Sequence, residues 1–262
     1  MAHRYGAAPI TRKVVRRTAA LSALAIALTF TITGTAAAQR SGDGFLFKPP
    51  RGTLVLRGGF AHASAGSDIF SFATDELTLG RGDFSGPTVG ADIALHVTPR
   101  LDLVIGAAYA GRSARSEFRD WVDQDDRPIE QTTSFRRVPV TASAKLYLTA
   151  RGRSIGRFAW LPARYTPFIG VGGGAMWYRF SQEGDFVDFE TLDVFADELE
   201  SSGWTATAHA LGGIDVSLTP RLALTGEARY SYAKANLSED FEGFDRIDLS
   251  GISTTIGLSI RF

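Results

Sequence analysis

The sequence contains no cysteine, only four histidines, and no excess of charge of either sign among its 262 residues. The absence of cysteine excludes a disulfide scaffold, a thiolate-ligated zinc site and a thiol nucleophile. Because 28 basic residues balance 28 acidic ones, the overall charge argues against a nucleic-acid-binding protein. The hydrophobic fraction of 44% is too high for a disordered chain. A folded domain is therefore expected.

No apolar run is long enough for a transmembrane helix. Residues 12–17 are basic, and the apolar stretch 19–32 that follows has 14 residues, whereas a helical span needs about 20. Small residues, Ala36–Ala38, then precede Gln39. This order predicts a signal peptide, residues 1–38, that is cleaved after Ala38, with a retained anchor as the alternative. Residues 39–52 are expected to form a short periplasmic segment before a folded domain, 53–262.

From residue 53 onward, hydrophobic residues recur with a period of two, which is typical of β-strands. In the last segment Ile252, Ile256, Leu258, Ile260 and Phe262 share one face, while glycine, serine, threonine and Arg261 occupy the other. The pattern predicts eight strands, within residues 54–60, 89–97, 101–112, 138–148, 167–180, 204–218, 222–234 and 252–262. The glycine-rich fifth strand gives no assignment of its faces.

The connections between these strands differ in length at the two ends of the predicted sheet. Long loops are expected at 63–85, 116–131, 181–202 and 236–248. The other end has tight turns at Thr98–Arg100 and Thr219–Pro220, a medium arginine-rich connection at 150–164, and both ends of the domain. The alternation predicts an all-β fold, an eight-stranded antiparallel up-and-down barrel.

The composition of the polar face decides between a membrane barrel and a soluble β-protein, which would also alternate. That face is mostly small residues, which suit a narrow eight-stranded interior, and not the lysine and glutamate of a water-facing surface. Strands of about ten residues match a tilted transmembrane strand. Aromatic residues near the strand ends are candidate interfacial girdles, namely Phe60, Tyr109, Trp177, Tyr178, Tyr230 and Tyr232 at one end and Trp160, Tyr165, Phe168 and Phe262 at the other.

With these features the chain resembles the small eight-stranded outer-membrane β-barrels of the OmpA, OmpX and OmpW kind. The resemblance covers residues 53–262 and implies localisation in the outer membrane, in contact with outer-membrane lipid and lipopolysaccharide. In that family the last strand is recognised by the barrel-assembly machinery, and the matching positions are Ile256, Leu258, Ile260 and Phe262. A monomer is expected.

If the apolar faces contact lipid, the opposite faces contribute ionisable residues to the barrel interior. They are Arg57, Asp92, His96, Asp102, Arg112, Lys145, His209, Asp215, Glu227, Arg229 and Arg261. Buried charges are usually paired, and this set is nearly balanced. We therefore expect a closed, salt-bridged interior and not a water channel.

Three functions are compatible with such a barrel. The first is a non-enzymatic structural or surface-interaction role, without cofactor, through acidic outer loops. The second is passive transport of small hydrophobic molecules, as in OmpW-like proteins, with Gly170 and Gly172–Gly174 leaving room for a cavity. The third is a lipid A-modifying enzyme, for which only His62 and Ser64 are candidates. The acidic residues of 181–201 suggest calcium or magnesium binding, but their spacing matches no EF-hand, and a solvated acidic loop is the preferred interpretation.

Overall fold

A computed structural model describes residues 44–123, 125–156, 159–187 and 194–262 of the chain. Eight long strands dominate it, and each contains or overlaps one of the eight predicted from the sequence. They are β1 (Gly52–Ala63), β2 (Gly86–His96), β3 (Leu101–Val122), β4 (Pro128–Tyr147), β5 (Tyr165–Val187), β6 (Val194–Ser217), β7 (Leu222–Tyr232) and β8 (Gly251–Arg261). The predicted signal peptide, 1–38, lies outside the described residues.

The eight strands form one closed sheet. Each strand pairs antiparallel with its neighbour in sequence, and β1 pairs with β8 to close the barrel. The closing ladder runs without interruption from Thr53, opposite Arg261, to Ala63, opposite Gly251. The predicted up-and-down antiparallel barrel is confirmed.

The outer surface of the barrel is apolar along its lower half. Ile105 is 64% exposed and Ile256 66% exposed, although both lie in the middle of paired strands, whereas Asp102 is fully buried inside. We call this outward-facing surface the apolar belt, and it includes Leu56, Val89, Ile93, Leu103, Ile105, Val140, Leu146, Ile169, Val171, Leu224, Ile256 and Leu258. A closed barrel with an apolar exterior and a charged interior is a transmembrane β-barrel. Within the described ranges, no helix is long and apolar enough to span a membrane.

Two of the four segments predicted to be long loops are instead largely β-strand. Residues 116–131 and much of 181–202 extend the strand pairs β3–β4 and β5–β6 into two tall hairpins. Above the apolar belt the outward positions become polar, for example Arg115 and Glu117, and the inward ones apolar, for example Phe118 and Phe135. The alternation therefore continues with its phase reversed, because water replaces lipid outside the barrel.

The predicted loop 63–85 is largely ordered into a plug. Helix α1 (Asp68–Glu76) buries Ile69, Phe70 and Ala73, and a 3-10 helix follows at Arg81–Phe84. The Phe70 ring makes edge-to-face contacts with the rings of Phe84, Phe135 and Phe180, at centroid distances of 4.7 to 5.8 Å. These aromatic contacts close the upper end of the barrel with an apolar core. The predicted loop 236–248 contains a 3-10 helix, Glu239–Phe241, and its last residues, Ile247–Asp248, pair with Lys234–Ala235 in a short ribbon.

The lower end of the barrel carries the short connections. The two threonine-proline turns use the same hydrogen bonds, since Thr98 Oγ1 accepts from the amides of Arg100 and Leu101, as Thr219 Oγ1 does from Arg221 and Leu222. The arginine-rich connection contains a small hairpin, Gly152–Ile155 with Ala159–Pro162. The segment that leads into β1 crosses this hairpin through a bridge between Leu46 and Trp160.

Candidate functional site

The barrel interior is the candidate site, and its first ion pair joins β1 to β2. Arg57 Nε and Nη2 donate to the two carboxylate oxygens of Asp92 at 2.6 and 3.1 Å, and both side chains are buried. Two parallel charge-assisted hydrogen bonds make this pair specific in geometry as well as strong. Gly106 lies opposite Asp92 on β3, and the absence of a side chain there leaves the volume that the carboxylate occupies.

Asp215 is the centre of a second polar cluster. Its carboxylate accepts hydrogen bonds from the Tyr147 hydroxyl and from Thr225 Oγ1, each at 2.8 Å, and lies 3.7 Å from Lys145 Nζ. The Lys145 ammonium also lies 3.4 Å from the centre of the Phe168 ring, a cation–π contact. Lys145 is thus held between one carboxylate and an aromatic face.

A third cluster forms at the lower mouth. The fully buried Asp102 pairs with Arg151 Nη1, and His96 Nε2 lies 3.8 Å from its second oxygen, Oδ2. Asp102 Oδ2 has no hydrogen-bond partner among the described residues. Arg151 was missed by the sequence analysis because it belongs to the connection 150–164 and not to a strand. The arginine-rich composition of this connection was the only feature of the sequence that pointed to a basic residue at the lower mouth.

Two further interior contacts involve residues of β6 and β7. Arg229 donates to Glu227, two residues earlier on the same face of β7, at 2.9 and 3.1 Å. The His209 ring is within hydrogen-bond distance, 2.8 Å, of Ser143 Oγ on β4, on the other side of β5. Gly172 provides the space for that ring, because a Cβ on Gly172 would lie 2.8 Å from two of its atoms. The histidine is therefore packed against bare backbone.

Arg261 and Arg112, both predicted to lie in the interior, differ in their placement. Arg261 is buried at the lower mouth, where its Nη2 donates to Ser217 Oγ at 2.8 Å. The prediction for Arg112 is wrong, because its side chain is 45% exposed and lies 3.8 Å from Asp83 of the first 3-10 helix. β3 continues above the apolar belt, so residue 112 faces the upper mouth and not the enclosed interior.

A second buried arginine, like Arg151, lies outside the predicted strands. Arg137 lies on the inward face of β4, and its Nη1 donates to the carbonyl oxygens of Leu249 and Ser250 at 3.0 and 3.3 Å. The apolar alternation in the sequence predicts this strand only from residue 138 onward, so Arg137 falls outside the predicted strand. Arg137 lies an even number of residues before Thr141 and Ser143, so it shares their face of the strand. This spacing was the signal in the sequence that the strand begins earlier.

The predicted aromatic girdles are only partly correct. Tyr178 and Phe168 point into the barrel and are almost fully buried, and Trp160, a residue of the lower hairpin, is also buried. The outward aromatic residues on the strands include Phe60, Tyr109, Tyr165, Trp204, Tyr230, Tyr232 and Phe262. Trp177, which is paired with Trp204, also lies on the outward face and is partly buried. The error on β5 has a clear cause, since its glycines hid which residues faced inward.

The glycine run of β5 is closely packed. A Cβ on Gly170 would lie 2.7 Å from the carbonyl oxygen of Ala144, and one on Gly174 would lie 2.1 Å from that of Val140. These inward positions have no room for a side chain. The run accommodates neighbouring groups and does not outline a large cavity.

The interior is therefore filled in two layers. The lower layer consists of the ion pairs, and the upper layer is the apolar core that α1 covers. A cavity of about 50 Å³ lies where the layers meet, lined in part by Arg57, Arg137, Met176 and Arg229. A second, of about 20 Å³, lies within the ionic layer. Since a cavity needs about 10–15 Å³ of space for the centre of a water-sized probe to hold one water, these spaces suit a few waters at most.

Two other candidate sites came from the sequence, a cation site in the acidic segment 181–201 and a catalytic pair formed by His62 and Ser64. No group of three His, Asp or Glu residues suitable for a metal is present in the described parts of the chain. Part of the acidic segment, residues 188–193, lies outside them. Where the acidic hairpin is described, Arg179 lies 2.7 Å from Glu200 and 3.8 Å from Glu198.

The possible nucleophile pair, His62 and Ser64, is exposed at the upper end of β1. The His62 ring packs at 4.8 Å from that of Phe60, and the Ser64 amide donates to the carbonyl oxygen of Ser250. Within the described ranges no hydrogen bond joins His62 to Ser64 or to a carboxylate. A serine nucleophile needs an adjacent base that is itself oriented, and this pair does not provide one.

No protein-family model matches the sequence, and no curated protein matches it. The fold is similar to several solved structures. Neisserial surface protein A is 12% identical, with a TM-score of 0.45, over 80% of this chain and 97% of that one. The attachment invasion locus protein Ail of Yersinia pestis is 11% identical, with a TM-score of 0.39, over 80% and 98%. Outer membrane protein W of E. coli is 15% identical, with a TM-score of 0.36, over 82% and 100%.

Proposed function

We propose that this chain is a non-enzymatic barrel of the outer membrane that is closed to solutes and acts at the cell surface. The single observation that carries the proposal is the filled interior. The pairs Arg57–Asp92 and Glu227–Arg229 and the cluster around Asp215 occupy the lower part, and the Phe70 cluster occupies the upper part. Eight strands enclose just enough space for such side chains.

The tall hairpins support the surface role. Residues 111–122 of β3 continue above the apolar belt, which at about 3.3 Å per residue is roughly 40 Å of strand. Their outward positions are polar, as at Arg115 and Glu117, and the described residues near their ends include Asp125 and Asp197. A large polar surface on a long paired hairpin is suited to contacts with lipopolysaccharide or with external partners.

The last strand supports insertion by the barrel-assembly machinery. Ile256, Leu258, Ile260 and Phe262 all point outward, between 37% and 66% exposed, so they form one continuous apolar ridge. This arrangement provides a surface that an insertion machinery can contact before lipid covers it.

Passive transport of small hydrophobic molecules is the alternative function, and the packing does not favour it. The inward glycines of β5 are in contact with neighbouring backbone, and the cavity near Arg137 and Met176 measures only about 50 Å³. A transported hydrocarbon would need the side chains around it to move apart.

The test combines two measurements on purified barrel. Its folding is first checked by electrophoresis in SDS with and without boiling, since a folded barrel migrates differently from its denatured chain. Planar-bilayer recordings should then show no steady ohmic conductance, and liposomes containing the protein should take up a hydrophobic dye no faster than empty ones. Steady conductance, or protein-dependent dye uptake, would overturn the closed barrel. Lipid A masses unchanged by expression of the protein are the expected result for a non-enzyme.

A further inference from the structure

The lower end of the barrel carries charge of one sign. Six of the described exposed residues there are basic. One is Arg221, and we call the other five the basic rim: Lys48, Arg51, Arg100, Arg153 and Arg164. Within the described segments 44–53, 97–101, 148–156, 159–165 and 216–222 there is no aspartate or glutamate. The rim thus presents several cations without a carboxylate beside them.

The nearest acidic residues are engaged elsewhere. Asp102 is fully buried against Arg151, and Asp215 is buried with Tyr147, Thr225 and Lys145. No member of the basic rim forms an ion pair with any residue that the structure describes. By contrast, the upper hairpins bring acidic residues to their surface, as at Glu198 and Glu200. The charge of the molecule is therefore divided along the barrel axis.

The basic rim also lies at a defined depth, immediately below the apolar belt. The amide of Arg51 donates to the carbonyl oxygen of Phe262 at 2.8 Å, and Phe262 is 64% exposed at the end of the belt. The Arg164 guanidinium lies 5.4 Å from the centre of the outward-facing Tyr165 ring. Arg100 follows outward-facing Val97 by three residues. These cations are placed where hydrocarbon gives way to phosphate headgroups.

Cations at this depth have a natural counter-ion. Basic side chains close to a membrane surface attract anionic lipids, and the effect adds with each residue. Long lysine and arginine side chains can keep their stems against the apolar belt while their charged ends reach the headgroups. An aromatic ring such as that of Tyr165 is also favoured at the interface.

We propose that the basic rim binds the phosphate groups of anionic phospholipids in the leaflet on the side of the short turns. Such lipids would be enriched in the first shell around the barrel relative to zwitterionic ones. The inference depends on the transmembrane placement of the barrel and not on the role proposed for its outer hairpins, so the two are tested separately.

The experiment compares spin-labelled phosphatidylglycerol with spin-labelled phosphatidylcholine at the protein boundary in phosphatidylcholine bilayers. Electron paramagnetic resonance gives the relative association constant of the two lipids. The wild-type barrel should prefer phosphatidylglycerol by ~3-fold or more at low salt, and 0.5 M NaCl should largely abolish the preference. The variant R51Q/R100Q/R153Q/R164Q should lose it at low salt.

The control variant R81Q/R115Q/R119Q/R246Q removes the same number of exposed positive charges from the upper end and should retain the preference. Both variants are checked for folding by their migration in SDS with and without boiling. Equal association of the two lipids with the wild type, or an equal loss in both variants, would overturn the proposal. Binding of polyphosphate by the wild type without any lipid preference would also overturn it and assign the basic rim to a soluble polyanion.

Discussion

A Cβ atom on Gly106 would lie 1.8 Å from Oδ1 of Asp92, the residue directly opposite it on β2. The carboxylate that binds Arg57 thus occupies the place of a side chain on the neighbouring strand. The ion pair therefore requires a glycine at position 106, because any side chain there would overlap the carboxylate.

Substitution G106A is therefore expected to destabilise the barrel by about 1–3 kcal/mol, because the methyl group displaces Asp92 from Arg57. Gly226 is the matched control, since a Cβ there meets no atom within 4 Å. G226A should change the free energy of unfolding by no more than about 1 kcal/mol. Urea titration in lipid vesicles, followed by tryptophan fluorescence, compares the two. An equal effect of both substitutions would contradict the packing described for Asp92.

The Arg57–Asp92 pair is expected to behave as a buried ion pair. D92N leaves the Arg57 guanidinium without its carboxylate and should cost about 3–5 kcal/mol of unfolding free energy. The double variant R57M/D92L replaces both charges with apolar groups and should lie within about 2 kcal/mol of the wild type. If the double variant were less stable than D92N, the charges themselves would be contributing more than their burial costs.

The hydrogen bond from Tyr147 to Asp215 is tested by Y147F, which keeps the ring against Phe168 and removes only the hydroxyl. The loss leaves one buried carboxylate oxygen short of a donor and should cost about 1–3 kcal/mol. Tyr165 faces outward and is 54% exposed, so Y165F should change stability little. The same unfolding titration measures both. A neutral Y147F would show that the hydroxyl does not support Asp215.

The plug formed by α1 is tested by comparing two phenylalanines of that helix. Phe70 is fully buried and contacts three other rings, whereas Phe72 is 38% exposed. F70A should cost about 3–5 kcal/mol, because it leaves a cavity in the apolar core. F72A should cost clearly less. Proteolysis of the 63–85 region should accelerate in F70A alone; equal rates in the two variants would mean that α1 is not anchored through Phe70.

The strands within the membrane could be predicted because lipid on one side and packed side chains on the other give a simple alternation. The upper parts of β3 to β6 could not, since outward Tyr109 is followed by polar Ser113 and Arg115 while Phe118 turns inward. That reversal of phase looks like the end of a strand. In the folded barrel, the reversal occurs where the outer surface passes from lipid to water.

Much of the interior could also be predicted, because a charged residue between apolar neighbours on a membrane strand points inward. Arg57, Asp92, Lys145 and Asp215 follow this rule. Arg151 did not, since it reaches Asp102 from a connection and only the folded chain brings the two together. Pairings across the barrel depend on strand tilt and register, which the alternation does not encode.

The central claim is that lipid surrounds one closed sheet whose alternate residues point inward. Since the chain has no cysteine, single cysteines can be introduced along β2 without background and spin-labelled in lipid vesicles. Labels at residues 89, 91, 93 and 95 should show high accessibility to dissolved oxygen and low accessibility to a water-soluble nickel chelate. Labels at 88, 92 and 94 should be immobilised and shielded from oxygen. The opposite phase, or nickel access at residues 89–95, would contradict the account.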